Sequence, residues 1–221
     1  MGKDKLRRFA AIKEFTNFFE PTIGEEYHMK GKWKSDYFKN ENPIVLELGC
    51  GKGEYTVGLA KHFPNKNFIG CDIKGSRMYI GATEALVNEM NNVAFVRTKI
   101  DFITDCFIEN EVDEIWLTFS DPQPKKPNKR LSSKPFIERY RQFLKKGGII
   151  HMKTDSDLLF EFTEEEINEN YEKLELTWDL YNELPENLDA VTKEIFHIKT
   201  HYEQLFTKKG SVIKYCKFKI N

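Results

Sequence analysis

From Asp4 to Phe19 the apolar residues Leu6, Phe9, Ile12, Phe15 and Phe19 return every three or four positions, the spacing of one helix face. That pattern predicts an amphipathic N-terminal arm. Residues 20–42 are polar and broken by Pro21, Gly24 and Gly31, which reads as a loop approaching the core. After Pro43 short apolar runs alternate with helical spacing. Strands are expected at 44–48, 68–72, 93–96, 115–119 and 149–153, and helices at 53–63, 76–90, 134–145 and 157–170. Strands separated by helices of that length need crossover connections, so the pattern implies an α/β chain with a parallel sheet. Two last extended runs, 174–178 and 212–220, suit an antiparallel edge pair. A chain of 221 residues with 40% hydrophobic content buries one core of ordinary size, so the expected organisation is an arm and approach segment over 1–42 and one domain over 43–221.

Charge changes this picture more than composition does. The net charge of −1 hides a segregation, because thirteen acids and a single base, Lys173, lie between Asp155 and Asp189 and give that tract −12. The rest of the chain is therefore strongly basic, with clusters at 3–13, 30–39, 125–146 and 208–219. Such clusters suit either solvated surface or contact with a polynucleotide. The acidic tract reads as a solvated helix surface or as a face that repels RNA. No segment has the run of about 18 apolar residues that a membrane span needs, and Leu6 replaces the Ser or Thr of a myristoylation signal, so a cytoplasmic protein is expected. Four cysteines without a C-x-x-C pair argue against a disulfide framework or a zinc ribbon. The five histidines show no ligand spacing, and no metal is expected.

The first strand of the alternating region runs into Glu47-Leu48-Gly49-Cys50-Gly51-Lys52-Gly53, a glycine turn that opens a helix. Absent side chains let backbone approach a ligand. The nicotinamide fingerprint would need glycine at 54, where Glu54 stands, and an acid is electrostatically wrong at a phosphate-binding helix start. A cationic cofactor without phosphates, such as S-adenosylmethionine, tolerates Glu47 and Glu54; the pattern alone also suits a plain tight turn. Asp72, ending the second strand, can accept from both ribose hydroxyls or cap the segment beginning near Gly75. Residues Thr98 to Asp101 would lie beside adenine, with the backbone near Ile100 or the Asp101 carboxylate meeting its polar edge. Glu47, Asp72, Asp101, Asp121 and Asp155 all fall at or just past strand ends, where ligands of open parallel sheets bind.

The fourth strand leads into Thr118-Phe119-Ser120-Asp121-Pro122-Gln123-Pro124-Lys125-Lys126-Pro127-Asn128-Lys129-Arg130-Leu131. This segment resembles the F-S-D-P-W-P-K-K-R-H-x-K-R-R-L signature of the bacterial tRNA (guanine-N7)-methyltransferases. The glycine turn, Lys153-Thr154-Asp155 and the run Thr200-His201-Tyr202-Glu203 with Phe206, similar to the family's T-x-Y-E-x-x-F, extend the likeness over most of the chain. The resemblance implies a Rossmann-like class I methyltransferase fold. Its sheet has seven strands, mostly parallel with an antiparallel edge strand, and helices on both faces.

The implied activity is transfer of a methyl group from S-adenosylmethionine to N7 of a guanine in the tRNA variable loop, leaving S-adenosylhomocysteine. Carried over by position, Glu47, Gly49, Gly51, Asp72, Lys99, Ile100 and Asp121 bind the cofactor, and Asp121 also meets the guanine as the catalytic residue. Lys125, Asp155, Thr200, His201, Tyr202 and Glu203 fall on substrate positions. Lys126, Lys129, Arg130, Arg7 and Arg8 are expected on the tRNA backbone. Asp121 has a structural alternative, a turn carboxylate binding its own backbone. Gln123 replaces the family's Trp, Asp72 its usual Glu, Lys99 an acid or Asn, and the basic loop is one residue shorter. These differences bear on the guanine pocket and on tRNA affinity rather than on the reaction class. A small-molecule or protein methyltransferase on the same fold is the alternative, since fold does not fix substrate. No obligate protein partner is implied, and a monomer or homodimer fits equally.

Overall fold

The computed structural model describes residues 2–183 and 190–220. Glu186 and Asp189 of the acidic tract lie outside them. The chain divides into two compact units, residues 1–108 and 109–221.

In the first unit the N-terminal periodicity yields a shorter helix than expected. Helix α1 spans Gly2–Ile12, the chain turns through Ala11 and Ile12, and strand β1 forms at Phe18–Phe19. Phe15 and Phe19 therefore continue the apolar spacing without continuing the helix. Strand β1 pairs in parallel with Phe95 and Val96, and the Phe95 amide donates to Asn17 O at 2.8 Å, so the edge of the sheet captures backbone that a longer helix would keep. Ile12 is buried against the rest of the unit. The segment expected to be loop contains a π-helical turn, Trp33–Phe38, closed by Lys39 in the left-handed region. Trp33 is fully buried, stacks on Phe107 and donates from Nε1 to Cys106 O at 3.0 Å.

Strands β2 (Ile44–Leu48), β3 (Asn67–Asp72) and β4 (Val93–Arg97) are parallel, and the order is β1-β4-β3-β2. Every residue of β2 is buried. Helix α2 (Glu54–His62) connects β2 to β3 and helix α3 (Gly75–Val87) connects β3 to β4, as the alternation requires. The register sets Leu48 beside Cys71 and Cys71 beside Val96, so the carboxyl ends of three neighbouring strands lie together.

The second unit holds β5 (Val112–Thr118), β6 (Leu144–Thr154), β7 (Glu172–Thr177) and β8 (Lys214–Lys219), in the order β5-β6-β8-β7. Strands β5 and β6 are parallel; β8 runs antiparallel to both β6 and β7, as the two C-terminal runs suggested. Helix α4 (Lys134–Tyr140) stops earlier than expected, because β6 already begins at Leu144. The Lys145-Lys146-Gly147-Gly148 stretch, with Gly147 at φ 74, is absorbed as an irregularity in which the β5 register shifts between Val112 and Glu114. Helix α5 (Asp157–Asn170) starts from a Ser156 cap that accepts from Leu159 N. Two short helices, α6 (Ala190–His197) and α7 (His201–Thr207), precede β8. Among the described residues there are eight strands, one more than expected, the addition being the two-residue β1. All four cysteines are buried and unbridged.

Candidate active site

The glycine turn is built by three residues with positive φ, Gly49 at 82°, Gly51 at 57° and Gly53 at 76°. They do different jobs. A methyl group on Gly53 would sit 2.5 Å from the Phe95 ring, and one on Gly81 of α3 would sit 2.6 Å from Lys52 O. These two positions let α3 close on the turn, and the Gly81 amide donates to Lys52 O at 2.9 Å. A methyl group on Gly49 or Gly51 would meet nothing within 4 Å, so that side of the turn is open to a ligand approaching bare backbone. Gly49 and Cys50 donate their amides to Cys71 O at 2.8 and 3.0 Å, tying the turn to the end of β3.

Two carboxylates flank this opening. Glu47 is 3% exposed, and its Oε2 accepts from the amide of Thr56 at 2.8 Å and from the Thr56 hydroxyl, in the first turn of α2. The helix start thus compensates a buried negative charge. Asp72 accepts from Gly51 N through Oδ2 at 3.0 Å and from Lys74 N through Oδ1 at 2.8 Å. It is consequently a turn carboxylate, yet each oxygen retains a lone pair, and its orientation is fixed before any ligand arrives. Lys99 and Ile100 follow β4, where a short 3₁₀ helix spans Ile100–Asp105, at the same edge as Asp72, whose register partner is Arg97. Cys50 and Cys71 are buried, and burial pushes both thiols well above the ordinary range, followed for Cys50 by Glu47 and Asp72 and for Cys71 by Cys106 and Asp72. An electropositive ligand without phosphates fits this donor-poor, acid-lined opening. A pyrophosphate does not.

In the second unit, Asp121 follows β5 in an exposed loop. Its Oδ1 accepts from Gln123 N at 2.9 Å, the turn arrangement foreseen as the structural alternative, while Oδ2 has no partner among the described residues. The loop is bracketed by two non-glycine residues in the left-handed region, Phe119 at φ 50 and Gln123 at φ 45. Such backbone costs about 1 kcal/mol or more per residue and persists only where surroundings impose it. Here Phe119 N donates to Lys153 O at 2.8 Å, and Arg130 Nε donates to Pro122 O at 2.9 Å. Arg130, expected on the tRNA backbone, is only 6% exposed, and its guanidinium lies 4.5 Å from the Phe162 ring centroid. Lys125, Lys126 and Lys129 are exposed along the same loop.

Strands β5 and β6 end together, Thr118 opposite Lys153, so Asp155 follows the strand next to that of Asp121. Asp155 is half-buried, and burial raises its carboxyl above the usual range. The run Thr200 to Glu203 divides in two. Thr200 caps α7 by accepting from Glu203 N at 3.1 Å, and the Glu203 carboxylate is fully buried against Lys153, which is also fully buried. His201 and Tyr202 are exposed on α7. The role of Lys153 was not anticipated. In the sequence Lys153 is marked only within the Lys153-Thr154-Asp155 likeness, as the base that closes the strand expected at 149–153, and its partner lies fifty residues on.

Arg7 and Arg8 sit on α1 in the first unit. Arg7 pairs with Asp4 at 2.9 Å and stays exposed; Arg8 pairs with Asp4, donates to Ser76 O at 3.2 Å and lies over the Tyr79 ring. No group of metal-ligating side chains occurs among the described residues, and no helix there is long and apolar enough to cross a membrane.

Residues 41–216 match a family described as "Putative methyltransferase". A tRNA (guanine-N(7)-)-methyltransferase of Bacteroides fragilis is 53% identical, over 99% of this chain and 86% of its own length. The chain belongs to the tRNA (guanine-N(7)-)-methyltransferase family. A Christiangramia forsetii member is 45% identical over 99% of both chains, and one from Brevibacillus brevis is 34% identical over 92% and 91%. Among solved structures, the 16S rRNA methyltransferase KamB aligns with a TM-score of 0.65 at 11% identity, over 93% of this chain and 99% of its own. A 30S ribosomal A1408 methyltransferase from an uncultured bacterium aligns at 0.58, 12% identical, over 92% and 98%. At such identities the likeness is one of fold, and it agrees with the mostly parallel sheet and antiparallel C-terminal strands described above.

Proposed function

We propose that this family member methylates N7 of a guanine in the variable loop of tRNA, in the cytoplasm, with S-adenosylmethionine as donor. The observation that carries the reading is the Asp121 loop: an exposed carboxylate fixed through one oxygen, with the other open, followed by three exposed lysines. When bound, S-adenosylmethionine supplies an electrophilic methyl group and leaves as S-adenosylhomocysteine. Gly49 and Gly51 admit it to the backbone, Glu47 and Asp72 offer acceptors to its ammonium and ribose, and Lys99 and Ile100 border its adenine.

Guanine N7 already has an available lone pair, so no residue has to remove a proton first. What the chain supplies is alignment and charge. Asp121 Oδ2 accepts from the N1 and N2 hydrogens of guanine, orients the base, and favours the positive charge that grows on the purine. Pre-fixing Oδ1 on Gln123 N removes the need to order the side chain during the reaction. Lys125, Lys126 and Lys129 neutralise phosphates around the target, and Asp155, His201 and Tyr202 complete the substrate side. Arg130 serves the same loop from within, through Pro122 O.

The test is methyl transfer to an unmodified tRNA transcript carrying guanine in the variable loop, against one carrying adenine there. Labelling of the first alone is expected; equal labelling of both refutes the site. Asp121→Asn keeps an oxygen to accept from Gln123 N, removes the charge and replaces the open acceptor Oδ2 with an amide nitrogen that can only donate. It should lower kcat by about 10²-fold or more with cofactor affinity kept, and full turnover would remove Asp121 from the mechanism.

A further inference from the structure

The ammonium of Lys153 is fully buried at the end of β6, and the described groups against it include a carboxylate, a carbonyl and a hydroxyl. Glu203 lies at 3.0 Å, Phe196 O accepts at 2.8 Å, and the Tyr181 hydroxyl is at 3.1 Å. The Tyr181 hydroxyl also bonds the Glu203 carboxylate and Phe196 O. One buried cation therefore gathers the residue-181 segment, the end of α6 and the first turn of α7 onto the last residues of β6. The main chain of the same lysine holds Phe119 N, at the root of the Asp121 loop.

The carboxylate of Glu203 is committed to this cluster and is 0% exposed, whereas its neighbours His201 and Tyr202 face outward, Tyr202 at 40%. We propose that Glu203 acts on the nucleic acid indirectly: the Lys153–Glu203–Tyr181 cluster is a positioning device that clamps α7 to the end of β6 and so presents His201 and Tyr202 to the RNA. This rests on the tRNA methyltransferase reading above and gives Glu203 a different part in it from direct contact with guanine. Around the lysine, the other titratable groups are Lys199 after α6, His197 stacked on Tyr181, Tyr215 opposite Lys153 on β8, and Asp155 two residues along.

The test uses the full chain and measures thermal stability, cofactor Kd, and kcat and KM for tRNA. Wild type, Glu203→Met, Lys153→Met, the double Met variant and Lys153→Arg are compared. Wild type without activity on tRNA would refute the functional reading itself, before any variant is considered. Each single Met variant strands one buried charge and should raise KM for tRNA about tenfold or more, while the double variant, with both charges gone and the space refilled, should return to within about threefold of wild type. A folded, cofactor-binding double variant no better than Glu203→Met would overturn the proposal, because the carboxylate itself would then be needed by the RNA. A second readout does not depend on the Met variants folding. In wild type KM for tRNA should climb as pH rises through about 8, where the buried lysine loses its proton, and Lys153→Arg should flatten that climb. Identical pH profiles for the two would equally overturn it.

Discussion

Replacing Gly81 with alanine tests whether α3 sets the shape of the cofactor turn. The new methyl group would lie 2.6 Å from Lys52 O, 2.9 Å from the Phe95 ring and 3.1 Å from Gly53 Cα, two of the three being backbone atoms that cannot rotate away. Restoring ordinary contact means moving the turn by several tenths of an ångström. Overpacking of this kind costs about 1–3 kcal/mol, and the better helix propensity of alanine returns about 1 kcal/mol. A net loss of up to about 2 kcal/mol lowers Tm by up to about 8 °C in a chain of this size. The displaced carbonyl lies between Gly51 and Gly53, so the 3.0 Å bond from Gly51 N to Asp72 lengthens as well. Cofactor affinity should therefore fall about tenfold, the loss of roughly one charge-assisted hydrogen bond. Thermal unfolding and calorimetric titration with S-adenosylmethionine measure the two effects on the same preparation. Gly51→Ala is the counterpart, since its methyl group enters open space; it should cost about 1 kcal/mol of stability through its positive φ while still impeding the ligand. A Gly81→Ala protein with wild-type Tm and undiminished affinity would show that α3 does not buttress the turn.

Two further outcomes are expected. Burial lowers the Lys153 ammonium from 10.5 to about 8, against the opposing pull of Glu203. The unfolded chain then holds more protons than the folded one between those values, so this group's contribution to stability rises with pH across that window. Below about pH 8 the contribution is at its least favourable. Lys153→Met should remove that rise, measured as denaturant midpoints from pH 7 to 10.5, and an unchanged slope would contradict it. On the loop of the second unit, Lys125→Ala, Lys126→Ala and Lys129→Ala should each reduce the slope of log affinity for tRNA against log salt by about 0.7–0.9, whereas Arg130→Ala should chiefly reduce stability. Equal salt slopes for all four variants would refute this division.

The alternation of strands and helices was legible because burial on both faces of a parallel sheet leaves continuous apolar runs, and β2, buried throughout, is the clearest case. The glycine turn and the acids at strand ends were legible for a related reason: their positions follow from topology. What stayed hidden depended on tertiary capture. Phe19 closes a helical rhythm, yet it and Phe18 pair with β4, and Trp33 lies in a polar stretch that gave no periodic signal yet plugs a fully buried site. The turn role of Asp121 was visible as an alternative, and the structure contains that bond; the position of the second oxygen needed coordinates. The Glu203 side chain is the sharpest case. A motif marks residues that matter together without saying which of them face outward, and only the burial of Lys153 separates the holders from the presenters.

The four cysteines have a practical use. Each thiol is interior, and burial raises Cys50, Cys71, Cys106 and Cys216 alike, so none offers an alkylating reagent a thiolate at neutral pH. The folded, unaltered chain should therefore take up no maleimide, which mass spectrometry after labelling checks. A single cysteine introduced on its surface can carry a dye or a cross-linker to one chosen atom, and any labelling of the unaltered protein clocks its opening.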